Sequence, residues 1–147
     1  MNKKKYYICS EKNETDMEKS SPIIEAERYI QNARQLLSEK AGKDVDYYTD
    51  KKYIKMAGHT AWCGVLVALD AVLKVRESLK KGQRPDIKDY QEAISKVDKK
   101  MPRLLMNSYE TLHRTLGYDG NLRYRIVQDG LNEAQDLIDW AGKYYVN

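Results

Sequence analysis

Apolar residues recur along this chain at three- and four-residue steps in several long stretches, the spacing that puts them on one face of an α-helix. The densest stretch begins after Thr49 and Asp50. Either can cap a helix, because a short side-chain oxygen accepts from an orphan backbone N–H. The helix is predicted to run to about residue 81, where Gly82 and Pro85 supply the stop. On a wheel of about 100° per residue, Ile54, Gly58, Ala61, Val65, Ala68 and Val72 share one line. Trp62, Leu66, Leu69 and Leu73 fill one flank, and Ala57, Gly64, Ala71 and Val75 the other. The polar stripe is narrow: Lys52, His59, Asp70, Lys74 and Glu77, with Met56 and Cys63 among them. A helix apolar over most of its circumference is surrounded by protein. Each interior glycine costs a helix about 1 kcal/mol, so Gly58 and Gly64 predict a close approach by a neighbouring backbone. The uncharged run 56–69 is shorter than the roughly 18 residues of a membrane span, and no span is predicted.

Three further helices flank this one. Ser20 or Ser21 followed by Pro22 marks a start, and Ile23, Ala26, Ile30, Ala33 and Leu37 form a stripe that Gly42 ends. Residues 43–49 read as a link. Asp86 caps a third helix with the stripe Ile87, Tyr90, Ile94, Val97, Met101, Leu105, Ser108, Leu112 and Leu116. Pro102 falls inside it, so the helix is either kinked or broken there. The stripe keeps its phase across the proline, which favours one kinked helix. Residues 117–121 carry a loop signal. The last helix, about 122–145, presents Ile126, Val127, Leu131, Ala134, Leu137, Ile138, Ala141 and Tyr145, and Gly130 marks a bend or a close crossing. Residues 1–20 are polar and read as a flexible tail; residues 21–147 read as one domain. The predicted fold is all-α: an up-down four-helix bundle with its third helix kinked or broken at Pro102.

Composition adds limits more than answers. The 147 residues suffice for one domain with a real core. Twelve Tyr and no Phe put aromatic bulk into side chains with a polar tip, suited to half-buried seams and interfaces. A net charge of +4 permits RNA or an acidic partner without arguing for either. Cys9 and Cys63 have no metal-ligand spacing and make no disulfide framework, which points to a reducing cytoplasm. Cys63, in the apolar helix, is expected to be an inert buried thiol. The apolar run after Lys3-Lys4-Lys5 is too short for a signal sequence.

The candidate chemistry is sparse. His59 and Asp70 share the polar stripe but stand about 16 Å apart along the axis. The plain expectation for each is satisfaction by a neighbouring helix or exposure to a dimer partner. Asp70 in particular calls for an Arg, a Tyr or a backbone N–H beside it. Tyr109 and His113, one turn apart, precede Tyr118 and Asp119 in the loop. Together they suit a polar ligand or acid–base work. The competing account is helix capping by His113 and Arg114. His59 and Cys63 alone do not make a zinc site, so neither metal nor cofactor is expected. Lys96, Lys99, Lys100 and Arg103 form a basic patch around Pro102. Its default is a solvated face, and RNA binding would need Lys74, Lys80 or Arg84 to join it. No phosphate loop, nucleophile motif or paired-carboxylate motif is present.

Residues 22–37, the helix AGHTAWCGVLVALDAVL and the closing GLNEAQDLIDWA resemble the HEPN-like (higher eukaryotes and prokaryotes nucleotide-binding) helical bundles in helix order and small-residue texture, over residues 22–145. The resemblance implies a dimer, and a partner such as a nucleotidyltransferase or a toxin-system protein. Nuclease members carry Arg, four to six residues, then His. No Arg has that spacing before His59 or His113; Arg103 is too distant, and Asn107 stands where it would fall. The resemblance thus implies an interaction role more than nuclease activity. The resulting expectation is a non-catalytic, homodimeric, cytoplasmic helical interaction module. Its alternative is an RNA-processing or nucleotide-handling protein using Tyr109, His113 and Asp119.

Overall fold

The computed structural model describes residues 21–145, so the tail predicted for 1–20 lies outside the described residues. Ser21 caps α1 (Pro22–Lys40), its Oγ accepting from the Ile24 N–H, with Pro22 in the first turn. Ala26, Ile30, Ala33 and Leu37 are buried along it, as the stripe predicts. Gly42 then takes φ +67°, a left-handed value that favours glycine. The presumed link after it folds into a small antiparallel hairpin, β1 (Lys43–Asp44) and β2 (Tyr47–Tyr48). Distant residues hold this hairpin: the Tyr48 N–H donates to the Leu122 carbonyl and the Tyr124 N–H to that of Asp46. Two-residue strands carry too little alternation to be read from sequence.

Asp50 caps α2 (Lys51–Leu73), accepting from the Lys52 N–H. Ile54, Gly58, Ala61, Val65 and Ala68 are buried as one line, with Trp62 and Leu69 on one flank and Ala57 and Gly64 on the other. Length and composition alone would let α2 cross a bilayer; here it is the central helix, packed against α1 and three later elements. The two glycines serve different crossings. A Cβ at Gly64 would stand 2.8 Å from Tyr29 Cβ and 3.0 Å from the Ala26 carbonyl oxygen of α1. A Cβ at Gly58 would stand 2.7 Å from the Leu112 carbonyl oxygen and 2.8 Å from the Gly117 nitrogen. The helix stops at Leu73, well before residue 81. Lys74 turns left-handed (φ 53°) and a 3₁₀ turn, Val75–Ser78, follows. A left-handed non-glycine residue costs about 1–2 kcal/mol; tucking Val75 into the core offsets it.

Asp86 and Asp89 form a reciprocal capping box at the start of α3 (Ile87–Val97). The single kinked helix is not what forms. Asp98 is extended (φ −153°, ψ 107°), and the chain restarts as α4 (Met101–Ser108) with Pro102 in its first turn, where the missing N–H does no harm. The Asp98 carboxylate fixes the break, accepting from the Lys100 N–H and from Trp140 Nε1. Stripe phase survived because Tyr90, Ile94, Leu105, Leu112 and Leu116 all still face the core.

α4 runs straight into a π-helical segment, Tyr109–Tyr118, so the loop read at 117–121 begins only at Asp119. α5 (Tyr124–Tyr144) closes the fold, with Val127, Leu131, Ala134, Leu137, Ile138, Trp140 and Ala141 buried. Gly130 marks a close crossing: a Cβ there would meet Thr111 Cγ2 at 2.7 Å. Among the described residues the architecture is therefore five helices, a π-segment and a two-stranded hairpin. It is all-helical in the main, and more broken than a four-helix bundle.

These crossings predict a contrast among small residues. Gly58→Ala gains helix propensity of about 1 kcal/mol, yet its Cβ meets backbone atoms that cannot swing away, so the variant should be destabilised, by about 1–3 kcal/mol. Ala61→Leu, fully buried, should fall in the same range. At Gly142 the nearest neighbour, Ile23 Cγ2, is an ordinary 3.5 Å away, so Gly142→Ala should be neutral or stabilising by up to about 1 kcal/mol. Urea melts of the three variants check the ordering.

Candidate functional site: a histidine and aromatic cavity

In an α-helix, residues five apart differ by about 140° of rotation. A π-helix bonds i to i+5 and brings them toward one line. The segment Tyr109–Tyr118 thereby aligns three rings that an α-helix would splay. Tyr109 stacks on His113, with ring centres 5.2 Å apart, and His113 meets Tyr118 edge-on at 5.0 Å. π-helical turns are rare and collect at functional sites.

α2 supplies the facing rings. Its backbone reaches the π-segment at Gly58, so the next residue, His59, is laid across Gly117. A Cβ on Gly117 would stand 2.7 Å from His59 Cε1 and 3.0 Å from Nδ1, so only glycine leaves room for this imidazole. His59 then sits 5.8 Å from the His113 ring and 6.0 Å from that of Tyr118. Trp62, one turn on, meets Tyr109 edge-on at 5.5 Å.

His59, Trp62, Tyr109 and His113 border a cavity of about 470 Å³, lined also by Arg84, Pro85, Asp86, Ile87 and Tyr90. That volume lies in the range of small-molecule sites. Cys63 also lines it and is exposed, which corrects the expectation of a buried thiol. The wheel already placed it on the polar stripe, and position outweighs the residue type's average burial. Burial of the imidazole, then the nearby His59 and Arg114, lower the His113 pKa. Its Nδ1 is buried with no hydrogen-bond partner among the described residues, consistent with a ring that resists protonation.

Asp70 lies outside this ring cluster but touches its wall. The Tyr90 hydroxyl donates to Asp70 Oδ1 at 2.6 Å, and Arg76 Nε lies 3.5 Å from Oδ2. Both partners are of the types the sequence calls for. Burial, then the bond to Asp70, raise the Tyr90 pKa. Asp70 thus anchors the phenol that borders the cavity.

The remaining candidates do not join the cavity. Tyr118 is 63% exposed and does not line the cavity, though its ring meets those of His59 and His113. Asp119 is exposed and does not line the cavity. Lys96, Lys99, Lys100 and Arg103 are exposed. Lys96 shares a groove with Lys74, but Asp89 and Glu92 line it too and dilute its charge. Sequence reasoning missed Trp62 as a site residue and singled out Arg84 only as an addition to the basic patch. Trp62 reads as ordinary core; only the tertiary crossing brings the two to one cavity.

Residues 21–143 match the model of a family described as a domain of unknown function, DUF5618. The chain is 38% identical to a protein of unknown function from Dyadobacter fermentans. The match covers 83% of this chain and 93% of that one, with a TM-score of 0.72. No curated protein matches. Neither match carries the HEPN-like name; what stands of that resemblance is the helical body.

The lowered His113 pKa fixes a pH dependence. The folded state holds the proton less tightly than the unfolded chain, whose histidine titrates near 6.5. The associated stability is therefore complete above about pH 6.5 and is lost as the pH falls from there through the folded pKa. Wild type should lose more stability than His113→Gln between pH 7 and pH 5, as measured by urea melts at each pH. Glu133, whose pKa burial raises, contributes with the opposite sign but equally in both proteins, so it cancels in the difference.

Proposed function

The chain belongs to the DUF5618 family, and on that premise we propose that it is a helical binding module whose cavity takes up a planar aromatic group. The observation that carries this reading is the convergence of His59, Trp62, Tyr109 and His113 on one opening. Aromatic faces and edges bind flat rings through offset and edge-on contact, and the imidazoles add hydrogen-bonding edges. The reading is of binding without turnover. Among the described residues neither histidine pairs with a carboxylate, so neither has the oriented partner that makes an imidazole a strong base. Asp86, which also lines the cavity, caps α3 through its carboxylate.

A HEPN-like nucleotide-handling protein is the second reading. Its support is Arg84, which lines the same cavity as the two histidines and Tyr109; a base in the cavity would leave a cation near its phosphate. We also propose a cytoplasmic homodimer. Exposed Met56 and Tyr118, with the half-buried Leu66 of the cavity wall, leave apolar surface uncovered, and the free Cys63 thiol suits a reducing compartment.

The two tryptophans, Trp62 and Trp140, give separable indole N–H signals in an NMR spectrum. Adenosine or indole, used as planar probes, should shift the Trp62 signal saturably while that of Trp140 stays in place. If neither probe moves Trp62, or both signals move alike, the cavity does not bind flat rings. Light scattering at micromolar concentration should give twice the monomer mass; a strict monomer would remove the dimer from the account.

A further inference from the structure

A second cavity, of about 370 Å³, lies on another part of the molecule between α1, the hairpin and the start of α5. Its lining carries the Arg34 guanidinium, the Lys43 ammonium and the Tyr48 hydroxyl beside the neutral Ser38, Tyr124 and Gln128, with no carboxylate among the lining residues. Arg34 is held by neutral groups. Its two terminal nitrogens donate to the side-chain oxygens of Gln128 and Asn132, at 3.4 and 3.1 Å. These contacts fix the guanidinium without neutralising it. The same Gln128 amide donates through Nε2 to the Tyr48 hydroxyl oxygen at 2.9 Å, which leaves the phenolic proton available to another acceptor. Lys43 Nζ sits 4.1 Å above the Tyr124 ring, and among the described residues neither Arg34 nor Lys43 forms an ion pair. The Tyr48 and Tyr124 rings lie 5.4 Å apart, so they already touch and form an apolar wall, not a slot. Two cations without a carboxylate partner and a free hydroxyl proton, Arg34 and Tyr48 held by amides and Lys43 resting on the aromatic wall, are complementary to an oxyanion attached to an apolar body.

We infer that this pocket binds a small organic anion, its carboxylate or phosphate oxygens held by Arg34, Lys43 and the Tyr48 hydroxyl. The site is separate from the histidine cavity and stands whether or not that cavity binds a ligand.

Calorimetric titration of the full chain with benzoate and with phenyl phosphate at low salt tests it. At least one should bind saturably, and the tighter of the two identifies the anion class. Arg34→Gln should weaken that binding roughly tenfold or more, the usual loss for a charge-assisted hydrogen bond. Lys43→Gln, at an exposed position, should weaken it too. Lys143→Gln, which removes the same charge from the far end of α5, should leave it intact. Failure of both probes to bind overturns the inference. So does binding that Lys43→Gln and Lys143→Gln reduce equally, because that is attraction to net charge and not to a site.

Discussion

The backbone of α2 at Gly58 lies against the backbone of the π-segment at Leu112 and Gly117, with no room for a methyl group between them. From the other side, α5 presses Gly130 onto Thr111 and Leu112. The π-segment is thus clamped between two helices at glycines, its broad backbone accommodated because both neighbours give up their side chains. Packing at this density tolerates little displacement. His59 follows Gly58, so its ring is delivered to Gly117, and the aromatic cluster assembles as a consequence of the clamp.

Much of the frame was legible because it rests on periodicity. The buried line of α2, the stripe of α1 and the face of α5 follow from spacing alone. The cap at Asp86 follows from residue type, and the structure selects Ser21 over Ser20 and Asp50 over Thr49. What escaped was decided by tertiary contact. Pro102 looked like a kink because the apolar phase is continuous, yet Asp98 breaks the chain where it can bond Trp140 far along the sequence. Lys74 ends α2 in a conformation that nothing local favours, because Val75 gains burial. The π-segment has no signature in residue type, and its Gly117 read as a turn. For the site, Tyr109 and His113 were legible as neighbours, and Asp70 as needing a partner. That His59 would meet His113 depends on the glycine contact and on no pattern in either helix.

The two cavities differ in character for reasons traceable to their walls. One is built by helices that cross closely and present rings, and it gathers imidazole and phenol groups. The other lies where a short hairpin leans on the first turns of α5, and it gathers two cations, Arg34 oriented by amides and Lys43 set over the Tyr124 ring. Both depend on segments distant in sequence, so loss of the α2 crossing should disturb the first far more than the second.

The central claim is that the Gly58 crossing lays His59 over Gly117 and so creates the ring cluster. A nuclear Overhauser spectrum of the full chain measures this directly. The account predicts a cross-peak between the His59 Hε1 proton and the Gly117 α-protons, accompanied by contacts between the His113 and Tyr118 rings. A His59 ring that shows contacts only to residues of its own helix, with Gly117 silent, would contradict it.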